Sequence, residues 1–423
     1  MPRFLCWSHL LALLSFFLLS SCGSEAPTEQ MPSLGCSELG SPYRIPIEIE
    51  AGDFARENRV VSLDINFTQQ LQDLDVSAAF NRALLRLVEV DPAGDVVDSE
   101  VAFQFDTKDD FDPAETAVGT LLFMLGGETP AGAIRRYDLC FADENVVDFA
   151  APEIEPKVQV EDVGMYEGDE AFKITTPTAT YYYHKHGSGF ASLLDPEGND
   201  WISYHPQDGA RGNFRGIPNI APAGFHPGPS EENKPTRIVF EGPVRTRILS
   251  ETRDEAWGVT WDIYPNSATM TLFKKGDEPY WILYEGTPGG RFDMTDYWVD
   301  SSNRVFDDME ALQGPANPWN GDLPGPEWVY FGDADLERVL YLIHTPDNEV
   351  TDEFWNFGDG GMTVFGFGRG PLTGDGSGDR HLSEVPAQLT IGFADDNYPA
   401  AARVINGASQ PVYVSAGPAE RVH

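Results

Sequence analysis

The sequence predicts an all-β protein, with an N-terminal β-sandwich followed by a much larger two-sheet sandwich. Three observations carry this. Runs that alternate apolar and polar residues recur along the chain, turn signals rich in Gly, Pro and Asp punctuate them, and amphipathic helical patterns are scarce. Composition agrees. Of 423 residues, 41% are hydrophobic and 12% aromatic, enough to bury real cores, so a disordered chain is excluded. At about 100–200 residues per domain, two or three domains are expected.

Residues 1–22 read as an address rather than as part of the fold. Arg3 supplies positive charge, and Leu10 to Leu19 form an apolar run too short for a mature bilayer span. The run ends in Leu19-Ser20-Ser21-Cys22, which resembles the lipobox of bacterial lipoproteins. That resemblance implies export, acylation of Cys22 and a membrane held through the lipid alone, each buried CH₂ adding about 0.8 kcal/mol. Gly23 after the Cys implies the outer membrane or cell surface. The alternative is an ordinary cleaved secretion signal. Residues 23–41 read as a flexible tether.

Strand signals begin at Tyr43 to Glu50 and continue at Val61 to Phe67, Leu84 to Val90 and Leu121 to Leu125. Asp91-Pro92-Ala93-Gly94 and Asp195-Pro196-Glu197-Gly198 supply hairpin turns, Pro presetting φ and Gly accepting positive φ. Phe67 to Phe80 is the best short-helix candidate. Residues 42–145 form the expected first sandwich. The acidic, proline-bearing stretch 146–165 reads as a linker or an edge strand, and 166–417 as one large domain. With Cys6 and Cys22 assigned to the address segment, Cys36 and Cys140 remain. In an oxidising compartment they could pair and clasp the two ends of the first sandwich; otherwise they stay as free thiols.

Charge narrows the function. With 68 Asp and Glu against 28 Lys and Arg the net charge is −40. No domain offers the basic stripe that nucleic acid requires, and adsorption to anionic headgroups is disfavoured likewise. Seven Lys beside twenty-one Arg suggest an acidic shell suited to saline surroundings.

The segment from Gly187-Ser188-Gly189-Phe190 through Asp195-Pro196-Glu197-Gly198 to Trp201, with long paired strands such as Thr269 to Phe273 and Tyr280 to Glu285, resembles the opening of galactose-mutarotase-like supersandwich domains. The resemblance covers about 250 residues. It implies a supersandwich and a carbohydrate context. That family's catalytic His and Glu motifs have no residue-by-residue match, so it implies no epimerase activity. The whole chain also resembles lipoproteins of polysaccharide-degrading bacteria.

Two clusters could carry chemistry. In 181–226 stand Tyr183, His184, Lys185, Trp201, Tyr204, His205, Arg211, Asn213, Arg215, Asn219 and His226. From 181 to 219 three cations, Lys185, Arg211 and Arg215, nearly balance four acids, which relieves the negative field where an anionic sugar could bind. A uronate lyase needs Arg or Asn at the carboxylate and a Tyr or His base, roles that Tyr183, His184, His205, Arg215 and Asn219 could fill. On a strand, Tyr183 and His184 point to opposite faces. The bland alternative is sheet-surface aromatics with loop salt bridges.

The second cluster, Trp257 to Trp298, holds Trp261, Glu285 and Trp298 among aromatics and acids suited to sugar faces and hydroxyls. Glu285 is the carboxylate to test as a hydrolytic acid or base. Core aromatics with surface acids would give the same pattern. Asp375-Gly376-Ser377-Gly378-Asp379 looks like half a calcium loop without the Glu that closes one, so it reads as an acidic surface loop, with calcium binding the weaker alternative, and no other cofactor or metal is expected. Together these features predict a polysaccharide- or oligosaccharide-acting protein, lyase or hydrolase, or else a non-catalytic glycan-binding lipoprotein.

Overall fold

A computed structural model describes residues 35–146, 153–207, 214–372 and 378–422. Cys22 and the address segment lie outside the described residues, as do Arg211, Asn213 and most of the calcium-like loop. The fold is all-β. Helix among the described residues amounts to two short segments and two single turns.

The N-terminal sandwich packs two antiparallel sheets. One contains Tyr43–Glu50, Ile134–Phe141, Arg86–Val90 and Val96–Asp98; the other orders Arg56–Asn66, Val118–Thr129 and Phe103–Thr107. Alternation in Tyr43–Glu50 puts Ile45, Ile47 and Ile49 in the core against Leu121, Phe123 and Leu139. Cys36 and Cys140 form a disulfide with Cα atoms 5.3 Å apart, joining the segment before the first strand to the strand Ile134–Phe141. The predicted helix at 67–80 is shorter, Phe67–Asp73. Asn66 caps it by accepting from Gln69 N, and Phe67 and Leu71 anchor it in the core.

Two nine-stranded sheets form the larger sandwich. The first runs, in spatial order, Trp319–Gly321, Asp352–Asn356, Thr363–Phe367, Ile282–Gly286, Gly216–Asn219, Gly189–Leu194, Thr180–His184, Asp169–Thr175 and Gln159–Tyr166. The second runs Arg237–Glu241, Thr246–Glu251, Gly258–Ile263, Ala268–Lys274, Ala387–Asp395, Arg338–Thr345, Trp328–Asp333, Asp296–Asp300 and Val305–Phe306. One large core lies between them, built from Phe190, Trp261, Tyr284, Trp298, Phe331 and Phe365 among others.

Two boundaries differ from the sequence reading. The stretch read as a linker or an edge strand contains the strand Gln159–Tyr166, which lies at the edge of the first large sheet, so the larger sandwich begins before 166. Tyr413–Ala416, placed with the large domain, pairs instead with the first strand, Ile47 opposite Ala416 and Glu50 opposite Tyr413. Between them lies the helix Tyr398–Ser409, capped by Asn397 and started by a proline. Ala401 and Ile405, four apart on one helical face, pack on Val339, Tyr341 and Ile343 of the second large sheet. Arg56 holds this end in place, donating to the carbonyls of Ala51, Gln410 and Pro411 at 2.8–2.9 Å and to that of Gly407.

The two sandwiches are joined by polar contacts. Gln104 accepts from Arg245 N at 3.0 Å and donates to Asp106 at 2.7 Å, and Asp106 forms a buried ion pair with Arg245.

Candidate functional site

The site sits on the outward face of the first large sheet. Alternation sends Ile282, Tyr284, Phe354, Phe365 and Phe367 into the core. The neighbouring positions face the other way. Glu285 is the cross-strand partner of Val364, Val364 of Trp355, and Glu353 of Gly366. Strand register therefore brings residues about seventy positions apart onto one surface.

Glu285 is the centre of one half. Asn219 donates to its Oε2 at 2.8 Å, and His226 Nε2 lies 3.7 Å from the same oxygen. His226 arrives on a loop held by its backbone N–H donating to Gly187 O. A Cβ at Gly187 would stand 2.5 Å from His226 O and 2.3 Å from Gly228 O, so only glycine lets this loop close on the sheet. The rings of Tyr204 and Phe214 flank His226, each centroid 6.1 Å away; Phe214 is exposed.

Glu353 and Arg369 form the other half. The Arg369 guanidinium lies over Trp281 and Trp355, 5.3 and 5.6 Å from the ring centroids. Its Nε is 3.2 Å from Glu353 Oε1, close enough for an ion pair but not aligned for a hydrogen bond. Trp355 Nε1 donates to the same carboxylate oxygen at 3.1 Å. Gly366 makes room for Arg369 to lie across the strand: a Cβ there would stand 2.9 Å from Arg369 Cβ. Burial pushes the Glu353 carboxyl up, against the opposing pull of Arg369, Trp355 and Asn320. Both Glu353 and Glu285 help keep Arg369 charged against its own burial.

Much of this cluster's hydrogen-bonding capacity is unused. Among the described residues, Arg369 Nη1, Glu353 Oε2, His226 Nε2 and Trp281 Nε1 are all sealed from solvent with no hydrogen-bond partner. Buried polar groups are nearly always paired, so four unpaired ones on one face ask for an explanation. A polyhydroxylated ligand that displaced the covering side chains could supply donors and acceptors to all four.

The sequence candidates divide. Glu285, Asn219 and His226 come together. Arg215 is adjacent but acts as a brace, donating to the carbonyls of Ser203 at 3.0 Å and Gly361 at 2.8 Å. Tyr183 does not join them. Its side chain points into the core, 3.0 Å from Ser250 Oγ, and burial pushes its phenol far above the ordinary value. A base there would have no access to substrate. His184 is also fully buried, with Nδ1 accepting from Gly228 N at 2.8 Å; burial lowers its pKa to about 4 and keeps it neutral. It supports the His226 loop rather than meeting a ligand. His205 lies beside Glu167 at 3.5 Å, and Lys185 is tied to Asp162 at 2.7 Å. Trp201, Trp261 and Trp298 are core residues with no exposed face for a sugar, and Tyr204 is buried. Sequence reasoning missed Glu353, Arg369 and Trp355. The only local signal for them was an acid beside aromatics in Asp352-Glu353-Phe354-Trp355-Asn356, and an Arg in a glycine-rich strand.

No family model matches the chain, and no curated protein matches it. Among solved structures it is similar to a protein in glycosyl hydrolase family 38 from Enterococcus faecalis, at 9% identity and TM-score 0.46. That match covers 88% of this chain but 47% of the other, so this chain spans about half its length. It is also similar to a galactose mutarotase related enzyme from Lactobacillus acidophilus, at 10% identity and TM-score 0.38, covering 53% of this chain and 97% of that one. Neither likeness is close enough to transfer a residue or a reaction.

Proposed function

We propose that this chain is an exported, lipid-anchored protein that cleaves oligosaccharide or polysaccharide by glycoside hydrolysis on the outward face of the first large sheet. The observation that carries the reading is the set of buried, unpaired polar atoms on Arg369, Glu353, His226 and Trp281 around two carboxylates. Glu353, biased toward its protonated form, donates to the departing glycosidic oxygen. Glu285, oriented by Asn219, takes the proton of the water that attacks the anomeric carbon. Their strands are two apart, which separates the backbones by about 9.6 Å across the sheet. Arg369 Nη1, once uncovered, has a hydrogen bond to give a sugar hydroxyl, and exposed Phe214 offers a ring to a sugar's apolar face.

Hydrolysis is preferred to elimination for an electrostatic reason. The cation of this cluster, Arg369, already answers to two carboxylates, so a uronate meets no net positive charge here. The test is incubation with a panel of neutral and anionic polysaccharides. New reducing ends without unsaturated-uronate absorbance, lost in both Glu285→Gln and Glu353→Gln, support the reading. Unsaturated product, or retention on glycan with no product, would overturn it. The anchor is tested separately: labelled palmitate should enter the protein and fail to enter Cys22→Ser.

A further inference from the structure

A second cavity, of about 360 Å³, opens where the N-terminal sandwich meets the second large sheet. Its floor is a polar platform on three adjacent strands. Thr269 is opposite Thr390, their hydroxyls 2.9 Å apart, and Thr271 is opposite Gln388, which in turn is opposite Thr345. Arg59 of the strand Arg56–Asn66 and the phenol-bearing Tyr264 complete the wall.

Arg59 is the unusual member. Among the described residues it forms no ion pair, and its Nε is sealed from solvent with no hydrogen-bond partner. Burial works against its charge, and the guanidinium of Arg56 adds to the positive potential. About one residue in six of this chain is Asp or Glu, yet none of the seventeen residues lining the cavity is. An unpaired, desolvated guanidinium in a carboxylate-free cavity is a receptor for an anion, and its fork matches a carboxylate. Hydroxyls and side-chain amides around it match a sugar ring's hydroxyls, and the volume lies in the range of small-ligand sites.

We infer that this cavity binds the uronate unit of an acidic oligosaccharide, with Arg59 on the carboxylate and the Thr269, Thr390 and Gln388 platform beneath the ring. The site would hold an acidic stretch of glycan away from the Glu285 and Glu353 face. It needs no catalysis and stands on different residues, so it is tested by binding.

Calorimetry with trigalacturonate, galactotriose, sodium acetate and sodium sulfate separates the possibilities. Trigalacturonate should bind, galactotriose at least tenfold more weakly, and the simple anions should not compete at equal concentration. Arg59→Gln should weaken trigalacturonate at least tenfold while Arg59→Lys keeps part of the affinity. Glu353→Gln should leave this binding unchanged, so a failed hydrolase reading does not touch it. If Arg59→Gln does not fold, Thr390→Val replaces it, and hydrogen exchange on the unaltered protein should show trigalacturonate protecting amides of Val60 to Ser62. Equal binding of galactotriose, full competition by acetate, or affinity indifferent to Arg59→Gln would each overturn the inference.

Discussion

Asp296 and Asp333 are direct partners across an antiparallel strand pair, and both are buried, at 2% and 8% exposure. Like charges facing each other on a sheet repel, and burial removes the water that would screen them. Burial first, then the Asp333 charge, pushes Asp296 up to about 9. Its Oδ1 has no hydrogen-bond partner. The fold therefore keeps a carboxyl that is neutral at physiological pH.

This pair makes stability fall as pH rises. Below about 4 both folded and unfolded chains hold the Asp296 proton. Between there and about 9 only the folded chain does, and each pH unit costs up to about 1.4 kcal/mol. Asp296→Asn removes that slope. Denaturant titrations at pH 5, 7 and 8 should show the substitution most stabilising at the highest pH. A gain that does not grow with pH would contradict the assignment.

Glu353 should set the alkaline limb of activity. A proton donor whose pKa is raised loses function as pH climbs through that raised value. Glu353→Gln should lower kcat by about 10²–10⁴ and abolish the limb. Asn219→Ala, which leaves Glu285 without its amide donor, should lower kcat with the alkaline limb retained. pH–rate profiles of the three proteins decide this.

Tyr183→Phe separates the sheet's two faces. The phenol is buried beside Ser250, so losing it should cost about 1 kcal/mol of stability and leave activity within about twofold. A Tyr183→Phe variant that folds but has lost turnover by orders of magnitude would return Tyr183 to the site.

The Cys36–Cys140 bond spans 104 residues. On the chain-entropy argument a loop of that length contributes up to about 4–5 kcal/mol, with engineered cases often giving less. Replacing both by Ala should lower stability by about 2–4 kcal/mol in denaturant. Retained activity at 25 °C would show that the bond serves the first sandwich and not the catalytic face.

Strand identity was legible because alternation and turn residues are local. Tyr43 to Glu50 and the Asp195-Pro196-Glu197-Gly198 turn carry their conformations in adjacent residues. The candidate site was half legible. Asn219 and His226 lie seven positions apart, and Glu285 is a lone acid between aromatics and glycines. Glu353 and Arg369 were not, because their meeting depends on the register of Asp352–Asn356 against Thr363–Phe367 and on Gly366 letting Arg369 cross. Tyr183 and Trp261 misled for the converse reason. A polar-tipped aromatic reads alike whether it faces a cleft or the space between two sheets, and only the sheet pairing distinguishes them.

The strand Tyr413–Ala416 lies against Tyr43–Glu50, so the first sheet is completed by residues that follow the whole larger sandwich in the chain. The first sandwich cannot acquire its full edge until the larger sandwich has been made. Until then the outer hydrogen-bonding groups of Glu48 and Glu50 stay open to any passing strand. The late arrival of Arg56's carbonyl partners at Gly407, Gln410 and Pro411 delays the same closure. Maturation of this molecule is a circle drawn shut from its far side, and the first sandwich stays aggregation-exposed until that distant strand arrives.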